Sequence, residues 1–124
     1  MSKRFLRAAI VIAAFLAALT SVAPAAAALR VIGKSQASGR VAITAKHVSV
    51  KQPQALYLRG YGRGLTGMTV VACSRGASFG SKSSAFSAMR SAQLYKLRMP
   101  ATGNCGVLAS LSGSGLIRME ILAG

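Results

Sequence analysis

Leu56-Tyr57-Leu58-Arg59-Gly60-Tyr61-Gly62-Arg63 alternates apolar or small residues with aromatic or cationic ones. In an extended chain successive side chains point to opposite faces, so Leu56 and Leu58 turn inward and Tyr57, Arg59, Tyr61 and Arg63 share the outer face. A row of this kind stacks on the flat faces of sugars or bases while its guanidinium groups pair with phosphate or sulfate. Lys96 and Arg98 form a second outward pair, and the Ser- and Gly-rich stretch 74–92 adds Arg75, Lys82 and Arg90. The chemistry these residues offer is the holding of anions.

Bond-making chemistry has little to work with. The only acid is Glu120 and the only histidine is His47. Paired carboxylates for general acid–base work are therefore excluded within one chain, and a Ser-His-Asp arrangement lacks its acid unless Glu120 serves. Glu120 alternates with apolar residues beside Arg118, the setting of a surface ion pair. His47 follows Lys46 where the alternation shifts around 45–47, which predicts a bulge with His47 at a surface or edge. Phosphate loops, metal-binding helix motifs and dinucleotide fingerprints are missing. No enzyme and no cofactor are expected.

Two cysteines remain to be placed. Cys73 ends the alternating row Thr69, Val71, Cys73, and Cys105 begins the row Cys105, Val107, Ala109, Leu111. Both rows read as inward-facing, and in an exported chain the pair is expected to form one disulfide. Two Cys and one His fall short of the four ligands of a structural zinc site, so no metal is expected. A redox role would favour a close C-x-x-C pair, which is absent.

Charge is the dominant signal. The chain has 16 Lys and Arg. Lys3, Arg4 and Arg7 fall in the leader described next, so 13 cations and Glu120 belong to residues 29–124, a net charge of +12. Solubility asks for a net charge of about 2–8 in magnitude, with both signs mixed. A surplus of this size repels itself, attracts polyanions and speeds their encounter. Counterion release from a charged polymer adds affinity that falls steeply with salt.

Residues 1–28 have the parts of a secretory signal peptide. Lys3, Arg4 and Arg7 open it, Ala8 to Leu19 is an uncharged apolar run, and Ala26-Ala27-Ala28 follows the helix-ending Pro24 with small residues suited to cleavage near Ala28. The start lacks the arginine pair of a twin-arginine signal, which predicts the general secretory route. The competing reading is a retained anchor, since Ala8 to Leu29 is uncharged and long enough to cross a bilayer. Cleavage is expected, with release to the periplasm or the extracellular space.

What must position the binding residues is a β-fold. All 13 glycines follow residue 28 and punctuate short runs rich in Val, Ile, Leu and Tyr. Strands are predicted at about 41–50, 55–61, 68–74, 84–88, 93–99, 105–111 and 116–122, with 29–40 as an N-terminal arm or an extra strand over 29–32. Tyr95, Leu97 and Met99 face one way and Lys96 and Arg98 the other; Ile117, Met119 and Ile121 oppose Arg118 and Glu120. Phe79, Phe86 and Met89 are expected to tack the 74–92 connection to the core. Residues 29–124 thus predict one all-β domain, a small immunoglobulin-like two-sheet sandwich of about seven strands with one disulfide; a small β-barrel is the runner-up. The likeness to immunoglobulin domains is architectural, because the chain has no Trp and position 103, where such domains carry Tyr, is Gly. Gly60 to Gly67 resembles turns of small secreted bacterial sandwiches, including the enediyne-carrying chromoproteins. The resemblance is confined to this stretch, and the Cys arrangement differs from the paired short loops of that family, so it carries over neither ligand nor site.

Together these features predict a secreted, strongly basic, non-enzymatic binding module. Its partners would be anionic polymers or surfaces: envelope phosphate polymers, acidic polysaccharide, lipid headgroups, or nucleic acid bound non-specifically. Competing readings are a cationic protein attacking foreign membranes, though it lacks a basic amphipathic helix, and a structural or inhibitor protein presenting the 74–92 loop to an acidic protein. A carrier of hydrophobic small molecules is a further possibility that fold alone does not grant.

Overall fold

Two strands of 20 residues, β3 (Leu56–Arg75) and β6 (Asn104–Ala123), organise the protein. The computed structural model describes residues 29–124, and the expected leader at 1–28 lies outside the described residues. β3 and β6 pair antiparallel from Leu56↔Ala123 at one end to Ser74↔Asn104 at the other. Both bend in the middle, where the register shifts between Tyr61 and Arg63 and again before Thr66.

The bend has a local cause. Gly62 has φ +142°, a conformation closed to other residues at acceptable cost. A Cβ there would lie 2.8 Å from Ile117 Cγ2, and one on Gly113 would lie 2.7 Å from the Arg63 carbonyl. Bare backbone on both strands lets them fold over together.

On one side of the bend, β1 (Arg30–Ala37) pairs with the last turn-free stretch of β6, and β5 (Leu94–Lys96) pairs with the start of β3. On the other side, β2 (Ala42–Val50) pairs with the start of β6, and β4 (Ser78–Met89) with the end of β3. The result is two four-stranded halves, β1–β6–β3–β5 and β2–β6–β3–β4, facing each other across one core. Leu58 from the first half approaches Gly67 of the second, and Leu111 from the second approaches Gly60 of the first. Leu56, Leu58, Leu65, Val71, Val107, Leu111, Ile117, Met119 and Ile121 are all buried there. Each large aliphatic side chain removed from water contributes about 1.5–3 kcal/mol.

The all-β two-sheet sandwich with one disulfide is therefore the fold. No ladder among the described residues joins β1 or β2 to β4 or β5, so the sheet stays open and is not a closed barrel. Cys73 and Cys105 are bonded and directly opposed in the β3–β6 ladder, with Cα atoms 4.0 Å apart. The bridge thus joins neighbouring strands within one half.

Several local expectations change. The predicted runs at 55–61 and 68–74 are one strand, as are 105–111 and 116–122. The extra strand at 29–32 extends to Ala37. β2 runs without a bulge: its register with β6 is continuous, and Ala42, Thr44, Lys46, Val48 and Val50 share one parity. The apparent shift arises because Lys46 occupies a core-side position, where its stem passes beside Gly33 of β1. Phe86 is half-buried and Met89 buried, as their role as tacks requires, but Phe79 is 76 % exposed. It pairs with Ser74, whose side chain faces outward, so parity turns Phe79 away from the core.

Candidate functional site

The outer face of the β1–β6–β3–β5 half carries the aromatic–cationic row. Register across the four strands builds it in three layers: Val31, Leu122, Tyr57 and Lys96; then Lys34, Glu120, Arg59 and Leu94; then Gln36, Arg118 and Tyr61. Residues far apart in sequence become cross-strand neighbours on one outer surface, on which Leu122 alone is buried.

Tyr61 is its centre. The Arg118 guanidinium lies over the ring at 4.6 Å from the centroid and that of Arg59 at 5.7 Å, both within cation–π range. Arg59 Nε also donates a 2.8 Å hydrogen bond to Glu120 Oε1. Glu120 is thus in an ion pair as expected, with the partner across the strand, Arg59. Burial pushes its carboxyl up, but hydrogen bonding from Arg59 and Tyr61, with the charges of Arg59 and Lys34, outweighs that and holds it below the ordinary 4.5. Glu120 orients Arg59 against Tyr61 and leaves Arg118, Lys34 and Lys96 as uncompensated positive charge on the face. Between Lys34–Gln36 and Arg118–Glu120 opens a shallow recess of about 260 Å³.

A pH dependence follows. Because the carboxyl titrates lower in the folded protein than in the unfolded chain, its contribution to stability is complete above pH ~4.5 and disappears as pH falls through the lower folded value. Denaturant unfolding measured from pH 7 to pH 2 is expected to show acid destabilisation that Glu120→Gln reduces. Superimposable profiles for the two proteins would contradict this.

The other predicted residues are distributed as follows. Tyr57, Arg59, Tyr61 and Lys96 come together. Arg63 leaves the row, because the chain turns at Gly62 and Arg63 pairs with Ser114 at the bend. Arg98 follows β5 and its backbone N–H donates to Ser84 Oγ. Arg75 stands at the β3–β4 hairpin, 3.5 Å from the Thr102 hydroxyl, and Lys82 lies on β4 opposite Val71. Arg90 sits in the turn after β4, where its N–H donates to the Tyr95 hydroxyl. The neighbouring Ser91 and Ala92 bind Gly62 and Gly60, which brings this turn to the β3 end of the face. Lys34 and Arg118 are the cations that the sequence reading left out of the site. Alternation had already turned Arg118 outward; only the β6–β3 register reveals that it meets Tyr61.

Among the described residues no three of His, Cys, Asp and Glu cluster closely enough to hold a metal ion. His47 is exposed on the outer face of β2, opposite Leu108.

No protein-family model matches the chain, and no curated protein matches it. Among solved structures, one described as the crystal structure of PirA is 13 % identical, with a TM-score of 0.43, covering 74 % of this chain and 92 % of its own. Another, described as TmCBM61 in complex with β-1,4-galactotriose, is 13 % identical with a TM-score of 0.37, covering 77 % of this chain and 86 % of its own. Similarity at this level assigns no family, ligand or site to the chain.

Proposed function

We propose that the protein is an exported, non-enzymatic module that binds anionic polymers through the outer face of β1–β6–β3–β5. The observation that carries this reading is the Arg118–Tyr61–Arg59 stack, flanked by Lys34 and Lys96. An aromatic ring backed by guanidinium groups offers a flat surface to a sugar or base and hydrogen-bond donors to its phosphate, sulfate or carboxylate. The disulfide suits an oxidising compartment, in keeping with export. The near-absence of acids keeps the whole molecule positive, so that anionic chains are drawn in before they are bound.

Binding of this kind is salt-dependent. The purified protein, passed over heparin and phosphate resins, is expected to stay bound well above a physiological ionic strength of about 0.15 M and to elute at higher salt. Elution by about 0.2 M salt from every anionic matrix, without preference, would contradict the proposal.

A further inference from the structure

The outer face of the other half, β2–β6–β3–β4, is of the opposite character. By register it is made of the outward residues of β2 from Ile43 to Ser49, of β6 from Asn104 to Ser112, of β3 from Thr66 to Ser74 and of β4 from Phe79 to Ala85. None of the 13 Lys and Arg of residues 29–124 falls on these positions. Its one titratable side chain is His47. Ile43 is 67 % exposed, Met68 62 %, Val70 41 %, Leu108 52 % and Phe79 76 %. The remaining positions are mainly Ser, Ala and Gly, and where they are smallest, around Ala72 and Gly106, a hollow opens beside Phe79.

We infer that this uncharged face is a two-fold contact between two copies of the chain, packed back to back. Charge selects the occupant. Two molecules carrying +12 each repel through any surface that bears their cations, and the repulsion is least when those surfaces point away from each other. Back-to-back packing through this face achieves that, burying apolar side chains and bringing only Lys51, at the rim of the hollow, close to the contact. The contact is isologous: Phe79 and the hollow lie on one patch, so each copy presents both a knob and a depression. The size is adequate. Four strands ~4.8 Å apart and about nine residues long span roughly 500 Å² per copy, or ~1,000 Å² for the pair, near the lower bound for a specific interface.

The dimer stands on charge and apolar exposure and does not depend on the polyanion reading. Where that reading also holds, the dimer carries two anion-binding faces on opposite sides and links two polymer chains, or two segments of one, with the gain in avidity that bivalence brings.

Sedimentation equilibrium of the purified, oxidised protein, with no polyanion present, tests the inference. The expected result is a reversible monomer–dimer equilibrium with Kd on the order of 10–100 µM, tightening between 0.15 M and 1 M salt as repulsion is screened. Met68→Lys and, separately, the pair Val70→Lys with Leu108→Lys are expected to weaken it roughly 100-fold or more, since each new charge faces its like across the two-fold axis. All these positions are solvent-exposed, and cooperative thermal unfolding beside the parent protein reports whether each variant keeps its fold. A monomer at every concentration overturns the inference, as does a dimer that the lysine variants leave intact. A monomer that binds neutral phosphatidylcholine vesicles, and loses them on Met68→Lys, would assign the face to lipid and overturn it equally.

Discussion

Replacing Cys73 and Cys105 together by alanine is expected to lower stability by about 3–4 kcal/mol, the entropy that a cross-link over 32 residues removes from the unfolded chain. A domain of this size has about 5–15 kcal/mol in total, so the loss is a large share. It corresponds to a fall in Tm of roughly 15–25 °C. The placement of the bridge adds to the argument. Cys73 and Cys105 are directly opposed one pair from the end of the long β3–β6 ladder, and this ladder is the spine to which every other strand attaches. Fixing one opposed pair fixes the register of the ladder on its side of the bend, from Thr66 to Ser74, and a slip by one residue there would turn Val71 and Val107 to solvent. Thermal unfolding of the double variant beside the oxidised protein measures the effect. A loss under about 1 kcal/mol would contradict it, showing that the unfolded chain already holds the two strands close.

Much of this spine was legible in the sequence. Alternation at Tyr57–Tyr61, Tyr95–Arg98 and Ile117–Ile121 correctly separated core from solvent, because a period of two is a property of the strand itself. The inward rows ending in Cys73 and beginning at Cys105 made the pair recognisable as a buried bridge. What stayed hidden is non-local. Gly62-Arg63-Gly64 and Gly113-Ser114-Gly115 carry the same local signature whether they close a hairpin or bend one long strand, so the local pattern divides each long strand in two. Lys46 mimicked a bulge because β2 pairs only with β6 and so is an edge strand, where a core-side position can still reach solvent. Lys34 and Arg118 joined the candidate site only through their register with Glu120 and Tyr61, and register across a sheet is set by partners that no local pattern names. For the same reason Arg75 and Lys82, grouped with the site by charge, lie on the β3–β4 hairpin.

Reversing a single charge on the aromatic face is expected to cost far more affinity for a polyanion than the same reversal elsewhere. Arg118→Glu removes the cation nearest the Tyr61 ring and sets a carboxylate beside Glu120, in the middle of the proposed site. Lys82→Glu changes net charge equally, but on β4, opposite Val71 in the other half. With a Debye length of about 8 Å at physiological salt, a distant charge acts only weakly on the bound polymer, whereas a contacting one acts in full. The expected losses are about 2 kcal/mol or more for Arg118→Glu, roughly thirtyfold, and within about threefold for Lys82→Glu.

Calorimetric titration of the two variants and the parent protein with a heparin oligosaccharide, at about 0.15 M salt, tests directly whether binding resides on the β1–β6–β3–β5 face. The proposed site requires Arg118→Glu to lose most of the affinity while Lys82→Glu stays close to the parent. Equal losses for the two would mean that net charge alone attracts the polymer and that the Tyr61 face is no binding site.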